Sequence, residues 1–275
     1  MTVQTKGARE LFSFYLAAGV DSFIGEEAVD RFADEATLPP APSPRSVQTP
    51  EPRARVIAPP PAVDERVFFQ AAPVAPEAAI MAARQAAKSA ATLEALRALL
   101  ETFEGCMLRA TATQLVFADG NPNARVMFVG EAPGRDEDLA GTPFVGRSGK
   151  LLDRMMTAIG LDRSKAYIAN IVPWRPPGNR TPTPHESAIC LPFIHRQIEL
   201  ANPDILVCLG QPSTQTLLHT REGITKTRGR WFKFDTGSRE IRALATYHPA
   251  FLLRSPLQKR LAWRDFLALE KALAG

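Results

Sequence analysis

Three short apolar runs in the C-terminal part of the chain end on side chains able to do chemistry. "RVMFVG" (125–130) leads into Glu131, "AYIANIV" (166–172) carries Asn170, and "RALATYHP" (242–249) ends with His248 beside Pro249. Runs of this length bounded by Gly, Pro or polar residues read as strands, and open α/β sheets bind ligands beyond the carboxyl ends of their strands. A carboxylate, an amide and an imidazole are therefore expected on one rim. The amide offers a donor and an acceptor side by side. Phe144, flanked by glycines in "GTPFVGRSGK" (141–150), adds an aromatic plate whose face accepts any flat ring. Each residue taken singly also has a structural use: His248 to cap a strand end, Phe144 to fill core, Glu131 and Asn170 to tie loops.

The decapeptide around Phe144 nearly spells the phosphate loop of an ATPase. Gly141 and Gly146 have the spacing, but Arg147 stands where the lysine belongs, before Ser148. Such a loop joins a buried strand directly to its helix, so that backbone N–H groups and the helix dipole meet the phosphates. Here the strand ends more than ten residues earlier, and the acidic run "RDEDLA" would repel a triphosphate. The segment that follows the first strand is "GEAPGRDED", a turn with Pro133 and Gly134. This is no ATPase loop.

The elements that must position these residues alternate. A fourth apolar run, "DILVCLG" (204–210), joins the three above. Helical patterns over Gly149–Ile159, Pro184–Leu200, Pro212–Leu218 and Leu257–Leu273 separate or follow them, with a kink or late start expected at Pro192. The fold class is α/β: a three-layer αβα arrangement with a mostly parallel central sheet of about four strands, plus a helical N-terminal extension. In that extension residues 7–18 and 25–35 read as amphipathic helices of a short element over 1–37. Residues 38–76 hold 11 of the 24 prolines, the composition of a disordered linker. Residues 77–105 form a helix, over 77–103, leading into a core domain over 106–275.

Charge is uneven. Residues 1–105 carry 10 basic against 14 acidic side chains, and residues 106–275 carry 23 against 15, which hints at a polyanionic partner for the second part. The basic stretch "KTRGRWFK" (226–233) reads as a hairpin facing that polyanion or a plain solvated strand. No stretch approaches the roughly 20 apolar residues of a membrane span, and no secretory pattern opens the chain, since Arg9 and Glu10 interrupt the apolar run. Three widely spaced cysteines make no disulfide framework, so a cytoplasmic location is expected.

The segments "VGEAPGRDEDLAGTPFVGRSGKLLDRMM", "IANIVPWRPPGNRTPTPHE" and "TYHPAFLLRSP", in this order and spacing, resemble the uracil-DNA glycosylases of the family 4 type, from about Cys106 to the C-terminus. The resemblance implies an enzyme that flips uracil out of single- or double-stranded DNA and hydrolyses its N-glycosidic bond, leaving an abasic site for base-excision repair. It implies that His248 donates to the uracil oxygen that gains charge. Glu131 orients the attacking water or stabilises the sugar cation, Asn170 reads the base edge, Phe144 stacks on the ring, and the Ala132 backbone donates. Leu252 or Leu253 would fill the gap left by the base, with Arg254 on a phosphate. A uracil- or damage-binding DNA module without turnover is the alternative. The protein is expected to act as a monomer, with the N-terminal region open to a protein partner.

The chain departs from the family in its cysteines. Members of the type hold a [4Fe–4S] cluster on four of them, and by alignment Phe103 and Cys106 occupy the first pair, Trp174 the third place and Cys190 the fourth. With two of four ligands present, no cofactor is expected, and Phe103 and Trp174 are expected to fill the volume. Cys208 reads as a buried strand residue. Better-known uracil glycosylases carry an Asp that activates water and a Tyr that excludes thymine where this chain has Ala132 and Gly134. Relatives that trap the abasic sugar do so through a histidine. The matching loop here, "RPPGNRTPTP", has Asn179 and Arg180 and no histidine before His185, so turnover is expected. His185, His195 and His219 read as surface or packing residues.

Overall fold

The computed structural model describes residues 76–275. The helices expected over 7–18 and 25–35, and all but the last residue of the linker expected over 38–76, lie outside them. Six strands form one sheet: β1 (Asp119–Gly120), β2 (Val126–Gly130), β3 (Tyr167–Asn170), β4 (Ile205–Leu209), β5 (Trp231–Asp235) and β6 (Glu240–Thr246), in the order β1-β3-β2-β4-β6-β5. Each of the four apolar runs makes one parallel strand, with β2 paired to β3 and β4, and β4 to β6. Two antiparallel edge strands, β1 on β3 and β5 on β6, raise the count above the four expected. A two-residue strand has no periodicity to detect. The stretch "KTRGRWFK" divides between a helical turn at Ile224–Thr227 and the solvated edge strand β5.

Helices cover both faces: α1 (Pro76–Ser89), α2 (Leu93–Thr102), α3 (Leu108–Thr111), α4 (Arg135–Ala140), α5 (Arg147–Thr157), α6 (Pro184–Ala201), α7 (Gln211–Leu218), α8 (Ile224–Thr227), α9 (Pro249–Arg254) and α10 (Lys259–Ala274). Strand alternation decides which face each side chain serves. Met127, Val129, Ala169, Leu206 and Cys208 pack in one cluster with α1, α2 and α6. Val126, Phe128, Ile168, Ile205 and Val207 point the other way, into a cluster with Leu152 and Met156 of α5 and Phe266 and Leu269 of α10. Phe128 is fully buried and stacks on Phe266, with ring centroids 6.1 Å apart. Phe128→Ala is expected to cost about 3–5 kcal/mol, read as a lower urea midpoint.

The helix expected over 77–103 is two. Thr92 accepts from the Ala95 N–H at 3.2 Å and caps α2, and Arg196 of α6 donates to the Ala90 carbonyl at the break. In α6 the helix runs through Pro192 from Pro184, so the late start is not observed. Thr183 and Glu186 form a reciprocal capping box at its start, and Ile189, Cys190, Phe193, Ile194 and Ile198 are buried along it. Several buried side chains at about 1.5–3 kcal/mol each outweigh the roughly 3 kcal/mol of an interior proline. Among the described residues no helix is long and apolar enough to cross a membrane.

Candidate active site

Glu131, Ala132, Phe144, Asn170 and His248 line one cavity of about 200 Å³ beyond the carboxyl ends of the parallel strands. Register brings the first elements together. Gly130 pairs with Asn170 across β2 and β3, so the strand tips emerge level, and Val172 donates to the Glu131 carbonyl at 3.0 Å. Gly130 must lack a side chain. A Cβ there would stand 2.4 Å from Asn170 Oδ1 and 2.7 Å from Phe144 Cζ. The ring of Phe144 therefore lies over the end of β2, stacked against His248 at 5.5 Å with an interplanar angle of 30°.

The polar atoms are held without being used up. Glu131 Oε1 and Asn170 Oδ1 are buried with no hydrogen-bond partner, a costly arrangement for a purely structural site. Burial raises the Glu131 carboxyl above its ordinary range. His248 is the N-cap of α9, and its Nδ1 accepts from the Ala250 N–H at 3.1 Å. The cap foreseen at a strand end is instead the N-cap of a helix, and it lies in the cavity wall. Burial, with Arg254 nearby, lowers the imidazole to about 4, so the ring is neutral at physiological pH. With Nδ1 accepting, the proton sits on Nε2, leaving that N–H as the donor.

Glu137 is a site residue that the sequence reading missed. It lines the cavity, and its carboxylate accepts from the Gly134 N–H at 3.1 Å and the Gly146 N–H at 3.0 Å. It thereby clamps the two glycine turns that flank the site. The acidic run is a short helix, α4, whose Glu137 and Asp138 are buried. Asp138 accepts from the Thr113 N–H and hydroxyl, each at 2.8 Å. The signal available was Gly134 followed three residues later by a glutamate, the pattern of a capped helix start. The far wall is the loop after β3. Arg180 grips Glu186 through two hydrogen bonds and pulls that carboxyl down to about 2, and Arg175 donates to Asn179 Oδ1 at 2.7 Å.

A groove of about 500 Å³ adjoins the cavity and is lined by Arg135, Arg147, Leu253 and Arg254. Leu252 points inward, fully buried with Tyr247 and Ala262, whereas Leu253 is half-buried in the groove wall.

On the opposite side of the sheet, Cys106 and Cys190 are buried, reduced and neighbours in one apolar cluster. The neighbouring Cys106 thiol, and then burial, push the Cys190 thiol well up. Trp174 is 2% exposed in the same cluster, and Phe103 meets Phe193 edge-on at 4.9 Å. A cubane cluster needs four ligands, usually thiolates. Two thiols and two aromatic rings do not fit it, and no group of three metal-ligating side chains occurs among the described residues.

Fold and cavity together define a three-layer α/β protein with a small cavity, walled by an aromatic ring and polar side chains, beyond its strand ends. The sequence model of the Uracil DNA glycosylase superfamily matches residues 117–267, and the chain belongs to this family. It is 41% identical over 165 residues to a type-4 uracil-DNA glycosylase of Archaeoglobus fulgidus, covering 58% of this chain and 83% of the relative. It is 43% identical over 151 residues to that of Thermotoga maritima, covering 54% and 77%. The Sulfurisphaera tokodaii protein of the same description is 39% identical over 180 residues, covering 64% and 82%.

Proposed function

We propose that the chain is a monofunctional uracil-DNA glycosylase, a hydrolase that releases free uracil from DNA and leaves an abasic site for base-excision repair. The observation that carries the reading is the meeting of Glu131, Phe144, Asn170 and His248, far apart in the chain, around one cavity. Uracil must leave the base stack to enter it. Phe144 offers a face to the ring, and the unpaired Asn170 Oδ1 suits the imide N–H of the base edge. When the C1′–N1 bond breaks, its electron pair goes to the base. The His248 Nε2–H then meets the uracil oxygen that gains charge, with the Ala132 backbone beside it. Glu131 faces the sugar cation and the water that attacks it. Donors and charges fixed before reaction supply the largest share of such catalysis.

Leu253, rather than the buried Leu252, is the wedge in this reading, with Arg254 on a phosphate. A wedge matters only where a stack must be refilled. Leu253→Ala is therefore expected to lower activity on duplex DNA about tenfold while single-stranded activity stays near the parent's. Leu252→Ala is expected to destabilise the fold instead, by about 2–5 kcal/mol. The protein works as a monomer in the cytoplasm, on single- or double-stranded DNA, and without a cluster. Phe103 and Trp174 take the cluster's place in the core, so elemental analysis of the purified protein is expected to find no stoichiometric iron.

The direct test is an oligonucleotide with one uracil, single-stranded or opposite guanine or adenine, followed by alkaline cleavage of abasic sites. Strand cleavage at the uracil position is expected. Uracil-dependent retention with no base release would show a binding module instead.

A further inference from the structure

Phe144 adopts a left-handed backbone, φ 55°, which side-chain-bearing residues rarely do. Its carbonyl is pressed against α5, where a Cβ on Gly149 would lie 1.7 Å from the Phe144 oxygen. One side chain grips this turn from outside the cavity wall. Arg163, in the loop between α5 and β3, donates from Nη2 to the Phe144 carbonyl and from Nη1 to the Pro143 carbonyl at 3.2 Å. Its remaining donors are fixed by Asp153, 2.9 Å from Nε, and by Asp119 of the edge strand β1. An arginine fork held by two carboxylates has one orientation, and a carbonyl bound to it inherits that orientation.

We propose that Arg163 is a positioning residue for base capture: its guanidinium holds the Phe144 carbonyl, keeps that backbone left-handed, and so aims the ring into the cavity. The inference rests on the glycosylase reading. It also gives the short strand β1 a use, since Asp119 orients the arginine that orients the ring.

The test is a double-mutant cycle between Arg163→Ala and Phe144→Ala, read as KM and kcat on a uracil oligonucleotide and as inhibition by free uracil. Stacking of a base on an aromatic ring, read by alanine substitution, corresponds to about tenfold, and Arg163→Ala is expected to lose about that factor in KM and uracil inhibition with a smaller change in kcat. In the Phe144→Ala background the same change is expected to cost less than about twofold, because the coupled partner is gone. Arg163→Lys runs in parallel. It keeps a positive charge for Asp119 and Asp153, and thus the fold, but has no fork for the two carbonyls. It is expected to lose base capture as Arg163→Ala does. Equal losses from Arg163→Ala in both backgrounds, or full recovery with lysine, would overturn the inference while leaving the glycosylase reading intact. A parent protein that releases no uracil would remove both.

Discussion

Replacing His248 with alanine is expected to lower kcat on uracil-containing DNA by about 10²–10³-fold, the loss typical when one donor to a developing oxyanion is deleted. In the proposed reaction the residue has two jobs, and the variants must separate them. Its Nδ1 caps α9, and loss of a cap costs about 1 kcal/mol of stability. His248→Asn keeps a capping oxygen but cannot carry a donor as far as Nε2. It is expected to melt near the parent temperature and still lose most of the rate. A variant that melts normally and keeps full activity would leave His248 as a cap and nothing more. The pH dependence follows from the lowered pKa. Burial first, and Arg254 second, hold the folded-state pKa at about 4, below the ordinary 6.5, so the neutral ring persists as pH falls through the range where histidine usually titrates. No histidine transition is therefore expected in kcat between about pH 5 and 8. A rate that followed a group titrating at the ordinary imidazole value would contradict a neutral donor.

The rim was legible in the sequence for a physical reason. Strands β2, β3 and β4 are buried on both faces, so they appear as unbroken apolar runs, and the first polar residue at each end announces itself. Glu131 stands just past β2 and Asn170 closes β3, while His248 lies two residues past β6, whose last four residues are buried. What failed to show was whatever depends on contacts across the chain. Glu137 sits in a run that reads as solvated acid, and only the turn of α4 carries its carboxylate inward to two backbone N–H groups. Arg163 has no local signature, since its partners Asp119, Pro143, Phe144 and Asp153 come from three other segments. The glycines around Phe144 announced a tight turn, but not that Phe144 itself would take the left-handed backbone. The choice between Leu252 and Leu253 was equally invisible, because a helix of six residues has too little periodicity to mark its inner face.

Glu131→Gln is expected to give the other large loss, about 10²–10⁴-fold in kcat, with KM close to the parent's. The reason for that split lies in when the charge is felt. Bound uracil-DNA presents a neutral sugar to the carboxylate, and positive charge appears there only as the glycosidic bond breaks. Gln keeps the shape and removes the charge, so the ground state is spared. The buried, unpartnered Oε1 also predicts how the fold responds. Burial raises the folded-state pKa above the unfolded value, so the native state holds the proton more tightly within that window. Stability then falls as pH rises through the window, and the full cost of the buried charge is present above it. Glu131→Gln should accordingly melt at or above the parent temperature at pH values above that window. The acidic limb of kcat/KM runs in the opposite sense: activity needs the ionised form, and is lost as pH falls through the raised pKa. That limb should vanish from the residual activity of Glu131→Gln. A variant that loses stability together with activity would mean that the carboxylate ties loops rather than serving the reaction. A destabilised fold with unchanged kcat would place the negative charge for the sugar elsewhere on the rim.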